Sequence, residues 1–495
     1  MRDERLLIGL VLLHLLLALP GLALLYALGL LRLRPLAVLA AAGPAVLLGV
    51  VLVGLPLIAL VVLGVSLTAV TALVVMVVVT LVLVAVGTRA TRMRVPEPAG
   101  ASGTLVERVV ERVLLAAVAV YFVISAPAFA NLETLWDDAN IWSLRALGLY
   151  HFGTLVDGLG RNPQLTGVHL DYPILQPLTE ATFFRAIGAV DLRLWHSELW
   201  LLLALTIWTL AWLLARLGPR WPWVVVLATM AVSGIFIGNI TLGDADMFMA
   251  ALLGCGVVCF GVWLQFGALA YALLGAVFLA GAASVKNEGL VFATALAVAL
   301  VIAAVIGRRP GRWRDLGLAG VLVAVAVLPW QIWVSGNDAA ETNTPSPWEV
   351  IDDPGYLIDR LDLLWRGLGQ VISQLMNTGE WSLLVPAFLV CAITLVVVGR
   401  ERTLAAFYLG AVFLAYLSVA YVYWVTPLDD TAAFEQRSGA RIVLGVVFLA
   451  GAALAHLLQV AASAWPARDE AAAPSHAQNA EVPSSMEAAD LPSAR

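Results

Sequence analysis

A chain of 495 residues that is 61% hydrophobic and only 13% charged uses lipid as its main solvent, since aqueous domains carry about 25% charged residues. Its net charge of −6 offers no basis for a nucleic-acid partner. The three cysteines, two of them inside one apolar run, form neither a disulfide framework nor a metal-spaced pair.

A helix crosses a bilayer with roughly 20 apolar residues. Charge-free windows of that length or its multiples predict an all-α, polytopic bundle of thirteen spans. The first covers residues 6–31, too long an apolar stretch for a cleaved leader, and is expected to be retained. The uncharged block 35–88 holds two more, hinged near Leu63 and Gly64, and the fourth is 113–130. The remaining windows are 199–215, 221–238, 247–264, 268–285, 290–306, 316–334, 382–398, 404–425 and 442–462. Residues 465–495, rich in Ala, Ser, Pro and acids, read as a disordered cytoplasmic tail. The chain thus divides into an N-terminal three-span segment with a basic loop (1–112), a main membrane module (113–464) and the tail.

Basic residues in short loops stay cytoplasmic. Placing the N-terminus outside puts Arg32 and Arg34, the group from Arg89 to Arg112, Arg216 and Arg220, the group from Arg308 to Arg314, and Arg400 and Arg402 all inside. The same choice gathers nearly all loop acids on the outer face, in five islands: 131–198, 239–246, 286–289, 335–381 and 426–441.

The first island opens with Trp136, Asp137 and Asp138, two adjacent carboxylates leaving the membrane at one helix end. Thr134 with Asp137 three residues on also fits a helix capping box, which leaves Asp138 unexplained. If that helix continues, Asp138, Ile141, Trp142, Arg145 and Leu149 share a face, and the helix lies along the interface. Further on, the run from His169 through Asp171, Tyr172 and Pro173 to Pro177 reads as a folded turn, its prolines resisting a regular helix. No ligand-like spacing links His151, His169 and His196, which read as interfacial histidines. A divalent metal on Asp137 and Asp138 stays open, because hard cations take carboxylate oxygens.

In the second island, Asp244 and Asp246 follow a glycine turn, and Asp244 also suits the N-cap of the next helix. Asn239 heads a glycosylation-like triplet too close to the bilayer for use. The third island holds Lys286, the only lysine, flanked by Asn287 and Glu288. A compact ammonium there suits a lipid phosphate. The alternative is a pair with Glu288 or Asp246 that only ties helix ends together. The fourth contains an amphipathic helix, with Leu357, Leu361, Leu364, Trp365, Leu368, Val371, Ile372 and Leu375 at helical spacing. The fifth offers Asp429, Asp430, Glu435, Arg437 and Arg441, whose arginines either reach phosphate or anchor the last span.

With these residues assembled, the chain resembles the GT-C superfamily of membrane glycosyltransferases, particularly bacterial members related to protein O-mannosyltransferases and the lipid A aminoarabinose transferases. The resemblance rests on Trp136-Asp137-Asp138-Ala139 with Trp142 and Ala146, Asp171-Tyr172-Pro173 with Pro177, Gly243-Asp244-Ala245-Asp246, and Lys286-Asn287-Glu288-Gly289. It covers roughly residues 130–300. It implies transfer of a sugar from a polyprenyl-phosphate donor to an envelope glycan, lipid or protein outside the plasma membrane. The implied base is Asp137, with Asp138 where relatives often have Glu. Donor contacts are then expected from Lys286, Asn287 and Glu288, from Asp244 and Asp246, and from Arg145, His169, Asp171 and Tyr172. Two departures are the three spans preceding the acid-bearing hairpin and the lack of a sizeable soluble domain after the last span. The rival class is a secondary transporter or lipid flippase, which places ionisable groups and broken helices at the midplane. Here Asp, Glu, Lys and Arg stay out of the predicted span centres, and His14, near the middle of the first span, is expected to make a helix–helix contact.

Overall fold

The structure is a computed structural model describing residues 2–89, 104–130, 132, 141–155, 170–218, 221–307, 312–337, 353–425 and 441–464. Within them the chain is all-helical, with no strand. The N-terminal group is α1 (Arg2–Ala27), α2 (Pro35–Ala40), α3 (Ala42–Val62) and α4 (Ala69–Arg89), followed by α5 (Leu105–Phe129). Two shorter helices, α6 (Ser143–Phe152) and α7 (Leu175–Ile187), precede α8 (Arg193–Ala215), α9 (Pro222–Val232) and α10 (Gly234–Leu242). The centre is built by α11 (Ala245–Phe266), α12 (Leu269–Val285), α13 (Asn287–Ile306) and α14 (Trp313–Gly336). The chain continues through α15 (Pro354–Ile358), α16 (Leu361–Leu375), α17 (Thr378–Trp381), α18 (Leu384–Val398), α19 (Arg402–Val425) and α20 (Leu444–Ala464).

Helices occupy every segment expected to span, and the hinge at Leu63 and Gly64 falls between α3 and α4, with Gly64 at φ 83°. Among the described residues, ten helices are long and apolar enough to cross a membrane alone. The count becomes twelve if each of two bent pairs is one span: α9 with α10, bent by 41°, and the α16–α17 segment with α18, bent by 110°. The thirteenth segment, α12, has only 17 residues, and protein rather than lipid surrounds most of it. These helices make the chain an integral membrane protein.

Helix α11 is the axis of the bundle. It is apolar nearly all round and buried from Ala245 to Leu264, packed by α8, α12, α13, α19 and α20. Between helices in lipid, small residues permit the close packing that holds them. A Cβ on Gly254 would lie 2.6 Å from the Phe448 ring, and one on Gly261 would lie 1.9 Å from the Tyr408 hydroxyl. Helices α1 and α3 use the same device, since a Cβ on Gly49 would come within 1.7 Å of the Leu17 carbonyl oxygen. Helix α3 also packs on α7, α8, α12 and α14, so the N-terminal group lies against the centre. By contrast, no residue in the membrane-length part of α5 is buried, and Val113, Val120, Val123 and Ile124 face outward.

The expected amphipathic helix is α15 and α16. It buries Gly367, Val371 and Leu375 while Leu361, Trp365 and Ile372 stay exposed. It is tied to the end of α19: the Trp424 indole donates to the Leu357 carbonyl (3.2 Å) and Arg360 Nε to the Trp424 carbonyl (3.1 Å).

The bundle has two chemically distinct ends, separated by the length of α11, about 33 Å at 1.5 Å per residue. Beyond its C-terminus, Arg312 donates to the Leu264 carbonyl and lies over Trp263, and Arg216 approaches the Tyr271 hydroxyl. Asp244, Asp246 and Lys286 gather at its N-terminus.

Candidate functional site

Backbone geometry assembles the acidic end. Gly243, at φ 71°, reverses the chain between α10 and α11, and Asp244 follows in an extended conformation. Asp244 occupies the N-cap position but makes no capping bond with its side chain; its carboxylate instead meets Arg441 Nη1 at 3.4 Å. The capping expectation therefore holds for position and fails for the side chain, which a cation has recruited. Lys286 is the single extended residue between α12 and α13. A Cβ at Gly289 would lie 2.0 Å from the Ala282 carbonyl oxygen, so glycine there lets α13 begin hard against α12.

Lys286 Nζ lies 2.9 Å from Asp246 Oδ1 and 3.1 Å from Glu288 Oε1, and 5.8 Å from the Tyr172 ring centroid. Both ion pairs weighed from the sequence form at once. Arg441 Nε stands 3.3 Å from the other Asp246 oxygen, so this carboxylate is shared between two cations. Burial opposes the charge on Lys286, but Asp246, and then Glu288 and Tyr172, outweigh it and raise its pKa above the ordinary 10.5. Burial, followed by Glu288, pushes the Tyr172 phenol up as well.

The turn expected around Asp171 docks on this cluster. Asn287 Nδ2 donates to Asp171 Oδ2 at 2.5 Å, the Trp330 indole donates to the Asp171 carbonyl at 3.0 Å, and Arg145 Nη2 donates to the Tyr172 carbonyl at 2.7 Å. Trp142 stacks on Tyr172, and the Arg145 guanidinium lies 5.7 Å from the Trp330 ring centroid. Burial, partly offset by Asp171, pulls the Arg145 pKa down to about 10. Gln176 Nε2 donates to the Gly243 carbonyl at 3.1 Å, joining the first island to the second.

Three expectations are corrected. The turn ends earlier than its prolines suggest, because Pro177 sits in the first turn of α7, where an N–H has no intrahelical partner anyway. The face of Ile141, Trp142, Arg145 and Leu149, which begins just before α6 and continues along it, is buried in protein, with α7 packed on the helix, rather than turned outward. His196 is fully buried in the first turn of α8 rather than interfacial, whereas His151 is exposed. His14 does make a helix–helix contact, 2.9 Å from Glu198 on α8.

Of the candidate residues, Arg145, Asp171, Tyr172, Asp244, Asp246, Lys286, Asn287 and Glu288 come together. Asp137, Asp138 and His169 lie outside the described residues, as do Thr134, Asp429, Asp430, Glu435 and Arg437. Among the described residues, no group of three or more His, Cys, Asp or Glu side chains is placed to hold a metal ion. Arg441 was one of two options in the last island, and its position directly before the final span was the available signal. Trp142 and Trp330 were not singled out as partners of the turn; Trp330 sits within a span, where nothing in the pattern separates it from a lipid-facing tryptophan. Glu180, buried in α7 and accepting from the Ser143 hydroxyl at 2.9 Å, was also missed.

No family model, no curated protein and no solved structure matches the chain.

Proposed function

We propose that the acidic end of the bundle is the catalytic face of a GT-C-like membrane glycosyltransferase, moving a sugar from a polyprenyl-phosphate donor to an envelope acceptor. The observation that carries this reading is the Lys286 ion-pair cluster. It draws Asp171, Asp246, Glu288 and Arg441 from four separate polar islands to the end of α11 opposite the arginine-rich loops. By the distribution of those arginines, that end faces away from the cytoplasm at the plasma membrane and the tail faces in.

In the proposed reaction an acceptor hydroxyl attacks the anomeric carbon, Asp137 takes the hydroxyl proton with Asp138 beside it, and the bond from that carbon to the phosphate oxygen breaks. General-base assistance of this kind is worth about 10²–10⁴-fold in rate. The departing phosphate gains negative charge, which Lys286 is suited to stabilise. Lys286 meets that phosphate by releasing Glu288, whose side chain is 25% exposed, while Asp246, 4% exposed, stays in place.

The test is transfer by purified protein in lipid discs supplied with labelled polyprenyl-phosphate sugars. Asp137→Asn is expected to insert and fold normally yet lose transfer, by roughly the 10²–10⁴-fold that a general base supplies. Full activity in that variant rejects the assignment. A second reading, a secondary transporter or flippase, draws support from the charged break at Lys286 between the buried α12 and the half-buried α13, and from the bend between α9 and α10. Movement of labelled lipid without cleavage of the sugar–phosphate bond would favour it.

A further inference from the structure

Helix α5 leans on the bundle mainly through α8 and α9. Its contact with α8 centres on Trp200, which stacks on Phe129 (centroids 4.1 Å apart, 11° between planes) and donates to the Phe122 carbonyl at 3.2 Å. Between the two helices runs an apolar groove of about 1000 Å³, with Val118 and Ala119 on one wall and Ala204 and Trp208 on the other. Two charged residues line it, Arg32 and Arg216. Arg216 is oriented by the Leu30 carbonyl, 3.1 Å from Nη1, and by the face of Trp212, 4.8 Å away.

The groove therefore follows α8 from Ser197 to Arg216 and carries cationic charge at its Arg216 end. Guanidinium groups are weakly hydrated and match phosphate oxygens in a fork, and basic pockets between membrane helices take anionic headgroups. None of the lining residues belongs to the Lys286 cluster. Arg216 stands at the other end of the bundle, about the 33 Å length of α11 away, so a phosphate held there is not the one reacting at Lys286. We infer that the groove between α5 and α8 binds an anionic glycerophospholipid of the bilayer, its phosphate at Arg32 and Arg216 and its acyl chains along Ala119 and Ala204. This inference stands independently of the sugar-transfer reading, because its readout is lipid binding.

Full-length protein, stripped of lipid in detergent, is titrated with phosphatidylglycerol or with phosphatidylcholine of the same chains, and bound lipid is counted by native mass spectrometry. At about fivefold per arginine, the wild type is expected to prefer phosphatidylglycerol roughly thirtyfold. R32Q/R216Q is expected to bring the two lipids to parity, and A204F, which narrows the slot and leaves both arginines intact, to lose both. Should the double variant fail to fold, exposed Arg32 carries the test alone, with R32Q lowering the preference about fivefold. Equal binding of the two lipids by the wild type overturns the proposal. So does a preference unchanged in R32Q, or displacement of phosphatidylglycerol by an equimolar polyprenyl phosphate.

Discussion

At the residue scale, Lys286 shows how a polar group survives inside an apolar bundle. Two buried charges lose hydration, and only close pairing returns enough energy to keep them ionised. Removing the cation leaves Asp246 with Arg441 alone and Glu288 without its lysine. Lys286→Met is therefore expected to destabilise the fold by about 3–5 kcal/mol, read as earlier unfolding in a denaturing-detergent titration. Asp246→Asn added to Lys286→Met should recover part of that loss, because it removes the stranded carboxylate. The pH dependence follows from the direction of the shift: a lysine whose pKa is higher folded than unfolded stabilises fully below the unfolded value. That contribution fades only as pH rises through the folded value. The stability gap between wild type and Lys286→Met should thus stay constant between about pH 7 and pH 9, and a gap that closes within that window contradicts the assigned direction.

At the element scale, hydrophobic windows were enough to locate the helices, because a charge-free run in lipid has no other way to satisfy its backbone. They were not enough to tell lipid-facing helices from buried ones. Both α5 and α11 read as apolar runs, yet the membrane-length part of α5 has no fully buried residue while α11 forms the axis. The residues that separate them are small, and a glycine's neighbours are not visible along the chain. Gly49→Leu is expected to cost about 1–3 kcal/mol or more, because the new side chain meets the α1 backbone rather than a movable side chain. Gly320→Leu on α14, where nothing lies within 4 Å, should leave stability unchanged. Equal effects of the two would mean that α1 and α3 are not packed as described. The candidate site was legible in part for the same reason: polar islands identified Lys286, Asp246 and Asp171, while Trp330 was hidden inside an apolar helix.

At the scale of the whole molecule, the separation of acidic and arginine-rich ends makes orientation measurable. Cys255 and Cys259 are buried and Cys391 is half-buried within α18, so a membrane-impermeant thiol reagent should report mainly on added cysteines. Ser346→Cys is expected to label in intact cells and Ser485→Cys only after permeabilisation. The reverse pattern would place the Lys286 cluster on the cytoplasmic side and remove the basis for an extracytoplasmic reaction.

The one-residue junction between α12 and α13 also bears on how the chain is made. Helix α12 is short, and its far end carries a lysine whose carboxylate partners lie on α11 and α13. Asp246 lies 40 residues before Lys286 and Glu288 opens α13, so the lysine has both partners only once α11, α12 and α13 are assembled. Residues 287–289 supply both Glu288 and the glycine that lets α13 start against α12. The α12–α13 hairpin is therefore expected to become stable together with α11 rather than ahead of it, because a lysine buried without its carboxylates is costly.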